Sequence, residues 1–208
     1  MKAILCFGDS NTYGVNPEDS TRFGRDKRWT GLLQANLGPD YYVIEEGYSG
    51  RTTCFSDDSD PFRSGIKMLD FVLKTHSPLD LIVIMLGTND FKTQFSMTAK
   101  VSGYALKRIV EKIHKYYGTV NCPKILLVSP IMMGQDVENS RFWECDKHSY
   151  EELKKVPAMY SKVASMTGCA FFDASTVASA GSDCLHMMQA SHKALAEALT
   201  PRIVELLK

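Results

Sequence analysis

Five short apolar runs, each followed by sequence with helical spacing, constrain the fold of this chain most strongly. They are Ala3–Phe7, Tyr41–Glu45, Leu79–Leu86, Lys124–Ser129 and Ala170–Phe172. Parallel strands that are covered on both faces have continuous apolar sequences, and two such strands are usually joined through a helix. The alternation therefore predicts a doubly wound parallel α/β sheet, with the most apolar run, 79–86, at its centre.

The segments between these runs have the 3.6-residue periodicity of helices. The predicted helices are Trp29–Leu37, Ser64–Thr75, Thr98–Tyr117, Ser149–Met166 and a last one from about Gln189 to Leu207. Ser149-Tyr-Glu-Glu152 fits a capping box at the start of the fourth helix, and Pro157 predicts a break or kink after one to two turns. A chain of 208 residues can bury one substantial core, so we expect residues 1–208 to form a single domain.

Charge and composition exclude several classes of partner. Lysine plus arginine and aspartate plus glutamate both number 24, so no basic surplus favours nucleic acid. No apolar run approaches the roughly 20 residues of a membrane span. The first strand begins at once, which predicts that no signal peptide precedes it. The six cysteines form no C-x-x-C pair, and three lie in or beside predicted strands, so we expect free thiols and a cytoplasmic protein.

Polar groups that could carry chemistry follow the carboxyl ends of the predicted strands. Gly8-Asp9-Ser10-Asn11 follows the first strand, Gly47–Thr53 the second and Gly87-Thr88-Asn89-Asp90 the third. Asp183-Cys184-Leu185-His186 lies after the fifth strand, just before the last helix. Open α/β sheets bind their ligands at this edge, so we expect the four segments to meet there.

The residue types in these segments suit nucleophilic catalysis. A serine hydroxyl such as that of Ser10 needs a base, and a histidine such as His186 is suitable because an unperturbed imidazole changes charge near neutral pH. Asp183 can accept the Nδ1–H of that imidazole and so fix its tautomer. The Ser10 N–H, the Gly50 N–H and the Asn89 side-chain amide are candidate donors to an oxyanion.

In this order, the four segments resemble the four blocks of the SGNH hydrolase superfamily, the GDSL-type esterases and lipases. Arg28-Trp29-Thr30-Gly31, Val43–Gly47 and Pro78–Asp90 are similar to its arylesterase and acyltransferase branch. The resemblance implies a three-layer α/β/α sandwich with a flavodoxin-like, five-stranded parallel sheet. It also implies ester hydrolysis through an acyl-enzyme, with no cofactor and no metal. Asn11 stands where the GDSL label has leucine, which we expect to alter local packing but not catalysis.

Taken singly, several of these residues have plainer interpretations. Ser10 is typical of a helix N-cap, and Asp9 most simply anchors the turn through backbone hydrogen bonds. Asp183, His186 and His192 could ligate zinc or iron, but His192 is most simply a first-turn or surface residue of the last helix. Arg51 could position acidic substrate groups, although a structural salt bridge is the simpler interpretation.

We therefore expect an esterase for small or short-chain carboxylic esters, with acyl transfer to alcohols as a further activity. The alternatives are a carbohydrate O-acetyl esterase, a lysophospholipase-type deacylase, an inactive interaction scaffold, or a flavodoxin-like module that binds a phosphate ligand. Two long segments, 16–28 and 132–148, fit no regular element. The second should overhang the site, or else form a surface excursion or a contact in a homo-oligomer.

Overall fold

A parallel five-stranded sheet forms the middle layer of the computed structural model, which describes residues 1–57, 59–118 and 120–208. Its strands are β1 (Lys2–Gly8), β2 (Tyr41–Gly47), β3 (Leu81–Met85), β4 (Lys124–Ser129) and β5 (Ala170–Asp173). Their order is β2-β1-β3-β4-β5, and every neighbouring pair is parallel. The predicted sheet is confirmed, and β3 is central, with all five of its residues buried.

Helices cover both faces of the sheet. They are α1 (Ser10–Tyr13), α2 (Trp29–Leu37), α3 (Gly65–His76), α4 (Ala99–Tyr117), α5 (Lys147–Leu153), α6 (Val156–Thr167) and α7 (Gln189–Leu206). Successive strand residues point to opposite faces. Leu5 therefore packs in the core with α3, α4 and α6, whereas Ile4 packs in the core with α2 and α7. The two cores and the sheet between them make the predicted α/β/α sandwich.

The predicted helical segment 149–166 consists of two helices, α5 and α6, which are separated just before Pro157. The capping box begins at Asp146, whose carboxylate accepts the Ser149 N–H at 2.8 Å, while the Ser149 hydroxyl accepts the Asp146 N–H at 3.1 Å. The proposed box from Ser149 to Glu152 is therefore misplaced by one turn. Pro157 lies in the first turn of α6, where a missing N–H leaves no hydrogen bond unmade. The break predicted at Pro157 is confirmed.

All six cysteines are free thiols, as the sequence predicts. Among the helices of the described ranges, none combines the length and the apolar character that crossing a bilayer requires.

Candidate functional site

The carboxyl ends of β1, β2 and β3 lie side by side, which brings three of the four predicted segments together. In the strand register, Gly8 is opposite Gly47 of β2 and Met85 of β3. The chain leaves β1 toward β2 on one side and reaches β3 on the other, so this edge is the switch point at which open sheets bind ligands. The turn after β1 requires a glycine, since a Cβ on Gly8 would collide with the Thr12 side chain.

Ser10, His186 and Asp183 form one continuous hydrogen-bonded series. The Ser10 Oγ lies 2.9 Å from His186 Nε2, and His186 Nδ1 lies 2.7 Å from Asp183 Oδ2. All three side chains are buried, and the serine and the histidine border an open cavity. The structure thus brings together three residues that are up to 176 positions apart in the sequence.

Asp183 is held as a carboxylate. Burial alone would raise its pKa, but hydrogen bonds from the His186 side chain and from the backbone N–H groups of His186 and Leu185 outweigh that effect and lower the pKa to about 2. A charged acceptor at this position keeps the Nδ1 proton on the imidazole, so that Nε2 faces the serine as the basic nitrogen.

Asp9 anchors the turn that presents the serine, as predicted. Its Oδ1 accepts the Asn11 N–H at 2.9 Å and so caps α1. Burial raises the pKa of this carboxyl to about 6. The hydrogen bond to the Asn11 N–H lies within the turn and supports the structural role.

The three predicted oxyanion donors meet beside the serine. Gly50 has φ +80°, a left-handed conformation that favours glycine, and it borders the same cavity as Ser10 and Asn89. Neither the Ser10 N–H nor the Gly50 N–H donates to an acceptor within the described residues. The Asn89 amide donates one proton to the Arg51 carbonyl at 3.1 Å, which leaves its second proton for a ligand.

Among the residues that the structure describes, the Arg51 side chain donates to backbone carbonyls and forms no ion pair of the expected kind. Its guanidinium donates to the Gly8 carbonyl at 2.9 Å and to the Glu46 carbonyl, and it stacks over the Phe7 ring. Both accepting carbonyls lie at the ends of strands β1 and β2. Since its own carbonyl accepts from Asn89, Arg51 ties the ends of these strands to the third segment.

Asp90 adds a second link between the predicted segments, which the sequence reasoning missed. Its carboxylate accepts the Thr53 N–H at 2.8 Å, the Thr53 hydroxyl at 2.7 Å and the Ser102 hydroxyl at 2.7 Å. Burial raises its pKa to about 6. Asp90 follows Asn89, and Thr53 lies three residues after Gly50, so this network fixes the two sides of the predicted oxyanion site relative to each other.

Asn11 is the other residue that the sequence reasoning undervalued. Its amide donates to the Leu185 carbonyl at 3.3 Å and accepts the Met187 N–H at 2.9 Å. These two residues flank His186, so Asn11 attaches the segment that carries the imidazole to the helix that carries Ser10. The sequence did contain a signal for this contact, because Asn11 is polar at the position where the GDSL label has leucine.

A cavity of about 290 Å³ opens above the serine and the imidazole. The segment 132–148 forms one wall, as predicted, through Arg141, Phe142 and Glu144. The Phe142 ring packs edge-on against the His186 ring, with centroids 5.2 Å apart. Arg63 and Lys92 add further charge to the lining. The cavity therefore combines an apolar wall with a strongly polar rim.

His192 lies in the first turn of α7 but is buried, which corrects its interpretation as a surface residue. Its Nδ1 accepts the Trp29 N–H at 3.3 Å, and burial lowers its pKa to about 4. Across residues 1–57, 59–118 and 120–208, no cluster of three or more histidine, cysteine, aspartate or glutamate side chains could hold a metal ion.

The three-layer fold and the serine–histidine–aspartate series at its carboxyl edge define an α/β/α hydrolase. The model of the GDSL-like lipase/acylhydrolase family matches residues 6–200, and the chain belongs to this family of carboxylic ester hydrolases. The predicted family and enzyme class are thereby confirmed. No curated protein sequence matches the chain.

Solved structures show which family members the chain resembles. The native aryl esterase of M. smegmatis is 38% identical, with 100% of each chain covered and a TM-score of 0.92. Est24, a carbohydrate acetylesterase from Sinorhizobium meliloti, is 32% identical, with 99% of this chain and 100% of that chain covered and a TM-score of 0.90. The lipase/acylhydrolase from Enterococcus faecalis, at 20% identity and a TM-score of 0.71, shares the fold.

Proposed function

We propose that this protein hydrolyses small, short-chain carboxylic esters through an acyl-enzyme on Ser10. The observation that carries the proposal is the hydrogen-bonded series from the Ser10 Oγ through both nitrogens of His186 to Asp183. A serine with a base at 2.9 Å, itself oriented by a carboxylate, is an activated nucleophile.

The reaction divides into two steps at this site. The Ser10 Oγ attacks the ester carbonyl while His186 Nε2 takes its proton, and the oxyanion accepts hydrogen bonds from the N–H groups of Ser10 and Gly50 and from the Asn89 amide. His186 then protonates the departing alcohol, leaving an acyl group on Ser10. Water, deprotonated by the same imidazole, then attacks the carbonyl of the acyl group. The tetrahedral intermediate collapses and releases the acid, while His186 returns the proton to the Ser10 Oγ.

The cavity supports a small substrate. Its volume of about 290 Å³ lies just below the usual range of ligand pockets, roughly 300–1,000 Å³. A long acyl chain would cover charged side chains at the rim, among them Arg63 and Lys92, and removing water from these charges costs free energy. A short acyl group beside Phe142 and an alcohol at the rim fit this lining better.

The polar rim also supports a second candidate, a carbohydrate O-acetyl ester. Sugar hydroxyls can hydrogen-bond to the charged groups at the rim, and one similar structure is a carbohydrate acetylesterase. A panel of p-nitrophenyl esters of increasing chain length, acetylated sugars and lysophospholipids separates the candidates by kcat/KM. Added alcohols that divert the acyl group from water would identify acyl transfer.

Replacing the serine tests the proposal. Ser10→Ala should lower the turnover of p-nitrophenyl acetate at least about 10³-fold and abolish labelling by a fluorophosphonate probe. Ser165→Ala, which removes an exposed hydroxyl on α6, is the matched control and should keep both. Undiminished turnover in Ser10→Ala would refute the acyl-enzyme. A wild-type protein that neither turns over esters nor reacts with the probe would favour the binding module or the scaffold.

A further inference from the structure

Both oxygens of Asp183 are fully engaged, and one of their partners comes from outside the predicted series. Oδ1 accepts the backbone N–H groups of Leu185 at 2.9 Å and His186 at 2.8 Å. Oδ2 accepts His186 Nδ1 at 2.7 Å and Arg141 Nη2 at 2.9 Å. A carboxylate has about four acceptor sites, so Arg141 fills the last one and shares an oxygen with the imidazole.

Arg141 belongs to the segment 132–148, which is fastened to the acid and base at several points. The Gly134 N–H donates to the Cys184 carbonyl at 2.7 Å, and the guanidinium of Arg141 also donates to the Pro17 carbonyl at 3.3 Å. The next residue, Phe142, packs against the His186 ring. The arginine is therefore held by its surroundings in the position from which it contacts Asp183.

We propose that Arg141 is a positioning residue, which fixes the Asp183 carboxylate from the cavity side and keeps His186 in its neutral, basic form. This inference rests on the proposed function, in which His186 accepts the proton of Ser10. Arg141 acts through Asp183, and no contact with the serine is required of it.

The electrostatic effect on His186 has a definite sign. The positive charge of Arg141 beside the imidazole disfavours the protonated form of His186. Because Asp183 Oδ2 also accepts from Arg141, it stabilises the imidazolium less than an unshared oxygen would. Replacing Arg141 removes both the nearby cation and the competing donor to Oδ2. Each of these losses favours the imidazolium, so the pKa of His186 should be higher in the variant than in wild type. Asp183 stays ionised in the variant, because the three N–H donors that lower its pKa remain.

Other charged groups surround the same imidazole and set the background for the experiment. Asp9, at the N-cap of α1, and His192, on α7, both interact electrostatically with His186. Arg63, Lys92 and Glu144 line the cavity in front of it. Because none of these groups changes when Arg141 is replaced, the comparison of variant with wild type isolates the arginine.

The test is the pH profile of kcat/KM for p-nitrophenyl acetate in Arg141→Gln, Arg141→Lys and Arg63→Gln. In Arg141→Gln the acidic limb should move upward by about 0.5–1 pH unit, so that relative activity below the limb falls about 3- to 10-fold. Arg141→Lys retains the charge and should keep most of the wild-type profile. Arg63→Gln removes a cation that also lines the cavity but pairs with Asp57, and its limb should move much less.

An NMR titration of the labelled histidine rings gives a second readout that does not depend on activity. The His186 resonance, assigned by its loss in His186→Asn, should titrate at higher pH in Arg141→Gln than in wild type. An unchanged or lowered pKa would overturn the proposal, and so would an equal shift in Arg63→Gln. If Ser10→Ala shows that the serine is not the nucleophile, the titration still decides the effect of Arg141 on the imidazole. The Arg141 side chain is 41% exposed, so the variants Arg141→Gln and Arg141→Lys should both fold.

Discussion

At the scale of single residues, the proposed oxyanion role of Asn89 would give its one amide group two tasks. One Nδ2 proton is given to the Arg51 carbonyl at 3.1 Å, and this bond orients the amide so that the other proton faces the cavity. The side chain is 4% exposed, so the donor is fixed before a substrate arrives. A donor that needs no reorganisation stabilises an oxyanion more than one that must first be ordered.

Asn89→Ala should therefore lower kcat for p-nitrophenyl acetate by about 10²–10³-fold, with a much smaller change in KM, because the lost bond is made in the transition state. Steady-state kinetics measure both constants. Asn89→Asp is the matched control for shape: it fills the same space but offers no donor, and it should be at least as impaired. A fall in kcat of less than about tenfold in both variants would remove Asn89 from the oxyanion site.

At the scale of elements, Ser10, the proposed nucleophile, lies on a helix that cannot be stable by itself. Helix α1 has four residues, and an isolated helix needs about 12–15 residues to persist in water. Its position is set by the Asp9 cap and by the Asn11 amide, which reaches both residues that flank His186. The distance from the serine to its base thus depends on a contact between two chain segments rather than on helix propensity.

Replacing Asn11 should loosen this junction. Asn11→Leu introduces the residue of the GDSL label and leaves the Met187 N–H without its acceptor, at a cost of about 1–3 kcal/mol in unfolding free energy. We expect kcat to fall as well, because the Ser10–His186 distance is no longer fixed. Urea unfolding and steady-state kinetics measure the two effects. Asn11→Ala removes the same bonds without added bulk, and a wild-type kcat in both variants would contradict the role of the amide.

Strands and helices could be predicted from the sequence where its periodicity determines their position. They could not be predicted where a contact with a distant residue determines where they begin. The five strands and the helix Trp29–Leu37 follow from apolar runs and 3.6-residue spacing. The start of α5 does not, because Asp146 and Ser149 both begin a plausible capping box. Ser149 serves as the third helical residue, and its hydroxyl donates to the Phe91 carbonyl at 2.6 Å, a contact that spans 58 residues.

The same division holds for the site. The four segments were predictable because each follows a strand end, and parallel strands end at one edge. The bonds from Asn11 to Leu185 and from Arg141 to Asp183 span 174 and 42 residues, and no local pattern specifies them. Arg51 shows the same limit: its cationic character is evident in the sequence, but the sequence does not reveal that its guanidinium donates to the backbone carbonyls of Gly8 and Glu46.

At the scale of the whole molecule, the buried His192 joins the two helices that cover one face of the sheet. It lies on α7 and accepts the backbone N–H of Trp29, the first residue of α2. Its Nε2 has no hydrogen-bond partner within the part of the chain that the structure describes. Protonation would place a charge in this core, which is why burial lowers the pKa of His192 to about 4.

The global stability should therefore depend on pH through His192. The unfolded chain binds a proton at the ordinary pKa of 6.5, whereas the folded chain resists it down to about pH 4. Between these values the unfolded state holds more protons, so stability is complete above about pH 6.5 and is lost as the pH falls toward 4. From pH 7.5 to 4.5 this one group should cost about 2 kcal/mol of unfolding free energy.

Urea unfolding of wild type and His192→Asn at the two pH values measures this contribution. The asparagine Oδ1 can take the place of Nδ1 as acceptor for the Trp29 N–H, but it does not titrate. The carboxyls with raised pKa values, Asp9 and Asp90, are present in both proteins, so their opposing contribution cancels in the comparison. Wild type should lose about 2 kcal/mol more than the variant on acidification. Equal losses in the two proteins would show that the folded state accepts the proton on His192, and that the core between α2 and α7 tolerates the charge.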